Sequence, residues 1–198
     1  MPPRRSATPR PARGTPEATR ARLVAAAATV FNRDGYHGTD TNRLARAAGY
    51  APATFYKHFV DKRAVFLAAY EAWVTSEWTQ VDRVVRSAVA PPERAERIVR
   101  LTLAHHRRWK GLRASLRALV ATDAAVRAAY RAQRRRQLEL LAALRGAAAP
   151  ARRERDALLL FTMERTCDAV ADGEVRELGL SVTRLVTALE DEVRDALG

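Results

Sequence analysis

Apolar residues return at helical spacing along almost the whole chain. Thr15-Pro16-Glu17 reads as an N-cap, a first-turn proline and a first-turn acid. Leu23, Ala27, Val30 and Phe31 then recur every three or four residues until Gly35, which predicts a helix over 15–34. A second, short helix begins near Thr39-Asp40-Thr41, carries Leu44, Ala45 and Ala48 on one side and stops at Gly49. A third runs from Ala51-Pro52 to about Phe59. Asp61 N-caps a long segment to about Ala88, whose apolar positions are Val65, Phe66, Ala69, Trp73, Val81 and Val84. Breaks at Pro91-Pro92, Gly111, Thr122-Asp123, Gly146 through Pro150, Gly173 and Gly179 divide the rest into helices over about 92–109, 112–121, 123–145, 151–171 and 180–197. No strand-like alternation and no repeat of fixed period occurs, so the expected fold is all-α.

Composition sharpens this picture. The 198 residues are 47% hydrophobic and 29% charged, enough for a core in one or two small domains. Forty alanines and 32 arginines suit helices. The net charge is +13, and residues 1–62 hold 11 basic side chains against 4 acidic ones, a denser excess than in the remainder. Such a charge points to a polyanionic partner. Residues 1–14, with four arginines, four prolines and no acid, form a disordered basic arm that reads either as a solvated tail or as a minor-groove contact. The expected domains follow at 15–62 and 63–198. A lone cysteine, Cys167, reads as a small buried hydrophobe in a reducing cytoplasm. No apolar run is long enough for a membrane span.

The three helices of 15–59 satisfy a helix-turn-helix pattern, with Gly49 in the turn. A recognition helix must pack one face on its partners and offer the other to base edges. At 100° per residue Phe55 and Phe59 lie about 40° apart and define the packed side. Ala53 and Lys57 fall opposite with Thr54 beside them, while Tyr56 and His58 project from the flanks toward the phosphate walls. Lys62, in the first turn of the next helix, suits a phosphate.

The stretch from Thr19 to Tyr70 resembles the DNA-binding domain of the TetR family of transcriptional regulators. The resemblance rests on Phe31-Asn32-Arg33-Asp34-Gly35-Tyr36, on Thr39-x-x-Asn42-Arg43-Leu44-Ala45-Arg46-Ala47-Ala48-Gly49, and on Ala53-Thr54-Phe55-Tyr56-Lys57-His58-Phe59-Val60-Asp61-Lys62. It covers about a quarter of the chain. It implies a homodimer on double-stranded operator DNA, released by a small-molecule effector held in a divergent helical C-terminal domain. Carried over by position, Thr41 and Asn42 would meet phosphate and base, Thr54, Tyr56 and His58 the backbone, Ala53 and Lys57 the bases, and Lys62 a phosphate. Ala51 stands where the family often places a hydroxyl residue, so that cap is missing.

In the C-terminal domain, 157–163 is apolar nearly all round, and Val182, Leu185, Val186, Leu189 and Val193 form one stripe. Leu158, Phe161, Leu185, Leu189 and Val193 are therefore candidates for a helix-packed dimer interface, with closure of the monomer core as the alternative. A two-fold dimer would set its readers ~34–36 Å apart, one DNA turn, and so predicts a palindrome. His105, Trp109 and Tyr130 are candidates for an apolar ligand pocket, the alternative being ordinary core. His105-His106 point different ways and suit a metal poorly. Arg134-Arg135-Arg136 reads as a solvated helix face. No GxSxG, GxGxxG, Walker A, HExxH or CxxC occurs, so neither an enzyme, a cofactor nor a metal is expected. The competing reading is a helical protein that binds nucleic acid without sequence preference.

Overall fold

The computed structural model describes residues 14–144 and 152–197. The expected arm, apart from Gly14, and the expected break at Gly146 through Pro150 lie outside these residues. The described residues form ten α-helices and no strand: α1 (Pro16–Asp34), α2 (Thr41–Ala47), α3 (Pro52–Tyr56), α4 (Lys62–Val85), α5 (Pro91–Arg108), α6 (Lys110–Thr122), α7 (Ala124–Leu144), α8 (Arg153–Asp172), α9 (Glu174–Glu177) and α10 (Val182–Leu197). The chain divides into two compact units, Met1–Ala72 and Trp73–Gly198. This division falls inside α4, ten residues beyond the expected start of the second domain. A helix with an unbroken apolar stripe carries no composition signal at such a point.

In the first unit, local chemistry places each helix end. The Thr15 hydroxyl caps α1 by accepting from the Ala18 amide at 3.2 Å, and Asp40 Oδ1 caps α2 by accepting from the Arg43 amide at 2.8 Å. Gly49, at φ 79°, takes the left-handed conformation that turns the chain into α3, while the Tyr50 amide reaches back to the Ala45 carbonyl at 2.9 Å. Leu23, Ala27, Phe31, Leu44, Ala45, Phe55, Val65 and Phe66 are buried against one another's elements. Phe31 meets Phe66 edge-on with centroids 5.2 Å apart.

In the second unit α5 packs on α8 and α10, and α7 packs on α6 and α8. One core joins Val81 of α4, Ala95, Ile98, Val99 and Leu103 of α5, Cys167 and Val170 of α8, Val175 of α9, and Leu189 and Val193 of α10. Leu189 and Val193 are buried in this monomer core, and Leu185 is half-buried against it. A single apolar stripe on a terminal helix has one place to be buried, and α5 takes it. The short α9, unanticipated from the sequence, follows Gly173 at φ 92°. Asp123 both ends α6 and starts α7, accepting from the amides of Ala125 and Val126 at 2.8 and 3.1 Å.

Candidate nucleic-acid interface and buried polar cluster

Phe55 and Phe59 are both buried, with ring centroids 5.7 Å apart. The helix itself is shorter than its spacing predicts. It ends at Tyr56, yet the Phe59 amide still donates to the Phe55 carbonyl at 2.9 Å and keeps the inward register. Ala53 and Lys57 are exposed, Thr54 and His58 half-buried. Tyr56 is 55% exposed. Its hydroxyl shares a 2.8 Å hydrogen bond with the hydroxyl of Thr41 at the start of α2. Two expected DNA contacts from different helices are thus brought together, and Asn42 is exposed beside them. Ala51 precedes α3 without a side-chain cap.

Lys62 has other work. Its ammonium donates to the carbonyls of Tyr36 and Thr39 at 2.9 and 2.8 Å and lies 4.4 Å from the centre of the Tyr36 ring. Two of the ammonium's three N–H groups thus satisfy the carbonyls of the α1–α2 turn. Arg43 serves the same turn, donating to the Gly38 carbonyl at 3.0 Å and pairing with Asp34 at 2.9 Å.

The second unit holds a buried cluster that its sequence did not announce. Asp168 accepts from Arg113 through Nε at 2.5 Å and Nη2 at 2.7 Å, meets His106 Nδ1 at 3.0 Å, and pairs with Arg117 at 2.9 Å. Arg113 also donates to Glu164 at 2.7 Å. Burial pushes the Asp168 carboxyl up, but the bonds from His106 and Arg113 hold it well below the usual carboxylate range. Burial draws His106 down despite that bond. Glu77, almost wholly buried, is pushed up to about 7 by desolvation. Its oxygens lie 3.8 Å from His105 Nδ1 and 3.9 Å from His106 Nε2, too far for hydrogen bonds. His105, drawn down to about 4 by burial, stacks on Trp73 with centroids 5.3 Å apart. The two histidines converge on Glu77, contrary to the expectation that they diverge. Among the described residues no group of three or more His, Cys, Asp or Glu side chains is placed to hold a metal ion. Cys167 is buried, its thiol pushed up to about 12 by desolvation.

Beside this cluster a cleft of about 290 Å³ opens between α6, α7 and α8. Arg113, Leu116, Arg117 and Val120 share one face of α6, and Phe161, Glu164, Arg165 and Asp168 one face of α8. Of the three expected pocket residues the cleft includes Tyr130 alone. His105 is held by the Trp73 stack, and Trp109 stands at the α5–α6 junction under Arg108, whose guanidinium lies 5.5 Å from the ring centre. Arg134 leaves the solvated face expected of its run, donating to the Tyr130 hydroxyl at 2.5 Å and pairing with Glu164. Leu158 and Phe161 are 65% and 55% exposed. The signal for the buried cluster was a charge on an apolar stripe: Glu77 stands four residues from both Trp73 and Val81, and Arg113 falls between Leu112 and Leu116.

The family model for bacterial regulatory proteins of the tetR family matches residues 23–69. That match spans α2, α3 and parts of α1 and α4, about a quarter of the chain. Comparison with curated proteins finds no match. Among solved structures, a Rhodococcus sp. protein described as a TetR-family transcriptional regulator shares 15% identity over 92% of this chain and 100% of its own, with a TM-score of 0.73. The fatty acid degradation regulator FadR from Bacillus halodurans shares 17% over 93% and 97%, with a TM-score of 0.65. A transcriptional regulator from Saccharomonospora viridis in complex with choline shares 20% over 88% and 95%, with a TM-score of 0.69. At these identities the likeness shows the fold alone and leaves function and ligand open. No helix among the described residues is long and apolar enough to cross a membrane.

Proposed function

We propose that this chain is a homodimeric repressor of the TetR family that binds a palindromic operator and is released by a small molecule. The observation that carries the reading is the exposed surface of α2 and α3, where Ala53 and Lys57 stand free of the core while Tyr56 and Thr41 are linked by their hydroxyls. Small side chains at the centre allow close approach to base edges, and Lys57 supplies a donor for a guanine or a phosphate. Tyr56, Thr54, His58 and Thr41 serve as backbone contacts that set register, and Asn42 extends the surface along α2.

The dimer face in this reading is α8, with Leu158 and Phe161, since an exposed leucine and phenylalanine one turn apart are unusual unless covered. The effector site is the α6–α7–α8 cleft. A ligand preferring one dimer geometry would change operator affinity by its differential affinity for the two states. Selection of bound sequences from a random duplex pool tests this: a palindrome with half-sites one helical turn apart is expected. Equal affinity for selected and random duplexes at fixed salt would favour the non-specific binder instead.

A further inference from the structure

The cleft's lining carries its own charge preference. Three guanidiniums, of Arg113, Arg117 and Arg165, and two carboxylates, of Glu164 and Asp168, line the cleft, and Asp172 and Glu174 pair with Arg117 and Arg165 from outside the lining. The acids are already answered. Asp168 meets Arg113, Arg117 and His106, and Glu164 meets Arg113 and Arg134. The arginines on the rim are not saturated. Among the described residues Arg165 engages through Nη2 alone, to Glu174 at 2.5 and 2.6 Å. Arg117 uses Nη1 on Asp168 and Nη2 on Asp172, which leaves Nε.

A cation would find little here. The Tyr130 ring has the Arg134 guanidinium 4.7 Å from its centre, and the neighbouring Trp73 ring has Arg113 at 5.0 Å and the stacked His105. These aromatic faces already serve the protein's own cations. Leu116, Val120 and Phe161 add an apolar wall.

We propose that the cleft takes a small amphipathic monoanion, its carboxylate on Arg117 and Arg165 and its apolar body along Leu116, Val120 and Phe161. The proposal rests on the effector-site reading above and assigns that site a ligand class. A guanidinium holds a carboxylate through paired, charge-assisted hydrogen bonds, and the partly enclosed cleft strengthens them. The volume lies at the small end of ligand pockets, which run roughly 300–1,000 Å³, so a short chain fits better than a long one.

Calorimetric titration of the full chain with octanoate, octanol and octyltrimethylammonium compares one apolar body under three charges. Octanoate is expected to bind at least tenfold more tightly than octanol, and the ammonium not to bind. R165Q and R117Q should each weaken octanoate at least tenfold and leave octanol unchanged. Arg165 is exposed and pairs only at the rim, so R165Q remains informative if R117Q folds poorly, and the comparison of head groups needs no variant. Equal binding of octanol or the ammonium overturns the anion assignment, as does octanoate binding that ignores both substitutions. Silence of all three overturns the ligand class but not operator release, which a low-molecular-weight cell extract tests on the protein–operator complex. If octanoate binds as described and leaves that complex intact, the ligand class stands and the release mechanism falls.

Discussion

The two units place their polar chemistry on opposite sides of their cores. In the first, the interior is apolar apart from Thr19 and Thr39, and the functional candidates Ala53, Tyr56 and Lys57 lie outside it. In the second, Glu77, His106, Arg113 and Asp168 are themselves buried. A surface that meets DNA can be built from side chains that water solvates until the duplex arrives. Polar groups held inside a core need partners, because an unanswered buried charge costs several kcal/mol.

The comparison breaks first at Arg113. Arg113→Ala removes the two-point partner of Asp168 and one partner of Glu164 inside the core, and about 3–5 kcal/mol of stability should be lost in denaturant unfolding. A loss under 1 kcal/mol would mean that the cluster is hydrated rather than buried.

Glu77 tests the same interior by pH. Its folded-state value, raised to about 7 from the ordinary 4.5, means that its contribution is fully present below pH 4.5 and lost as pH rises through 7. Glu77→Gln should flatten the fall in stability between pH 5 and pH 8, by up to about 3 kcal/mol at the alkaline end. The histidines act in the opposite sense. With His105 drawn down to about 4, its contribution is present above pH 6.5 and lost as pH falls toward 4. An alkaline limb identical in the wild type and Glu77→Gln would show that Glu77 is ionised in the fold.

Lys62 decides where the first unit keeps its cations. Lys62→Ala should cost about 1–3 kcal/mol by orphaning the Tyr36 and Thr39 carbonyls, while the salt dependence of DNA binding stays unchanged. A salt slope reduced by about one unit would restore the phosphate role instead. Lys57→Ala should cost about 1–3 kcal/mol on the selected operator and less on scrambled duplex, measured by competition titration, with fold stability unmoved. Equal losses on both duplexes would remove Lys57 from base reading.

The smallest effect on stability is expected at Phe161. Phe161→Ser should leave the monomer within about 0.5 kcal/mol, because the ring is more than half exposed, yet shift the oligomer toward monomer in sedimentation. Leu189→Ala should do the reverse, at about 2–5 kcal/mol of monomer stability, since that side chain lies in the core.

Nine of the ten described helices and most of their ends were legible because they depend on short-range rules: Thr15 and Asp40 as caps, Gly49 and Gly173 at positive φ, prolines at first turns. The inward turn of Phe55 and Phe59 was equally legible, being a matter of phase within six residues. The same local rules failed where the partner lay far along the chain. Asp168 meets Arg113 across 55 positions and His106 across 62, and no periodicity encodes such a pairing.

The sequence by itself therefore determined the helical fold of the described residues, a three-helix helix-turn-helix unit with its outward-facing residues, and an excess of positive charge, since each follows from spacing and composition within a few turns. Only the tertiary structure decided which apolar stripe closes the core and which stays exposed on α8, that Lys62 and Arg134 turn inward, and which charges answer one another in the second unit. Those outcomes depend on competition among helices for the same neighbours, and that competition is settled by packing in three dimensions.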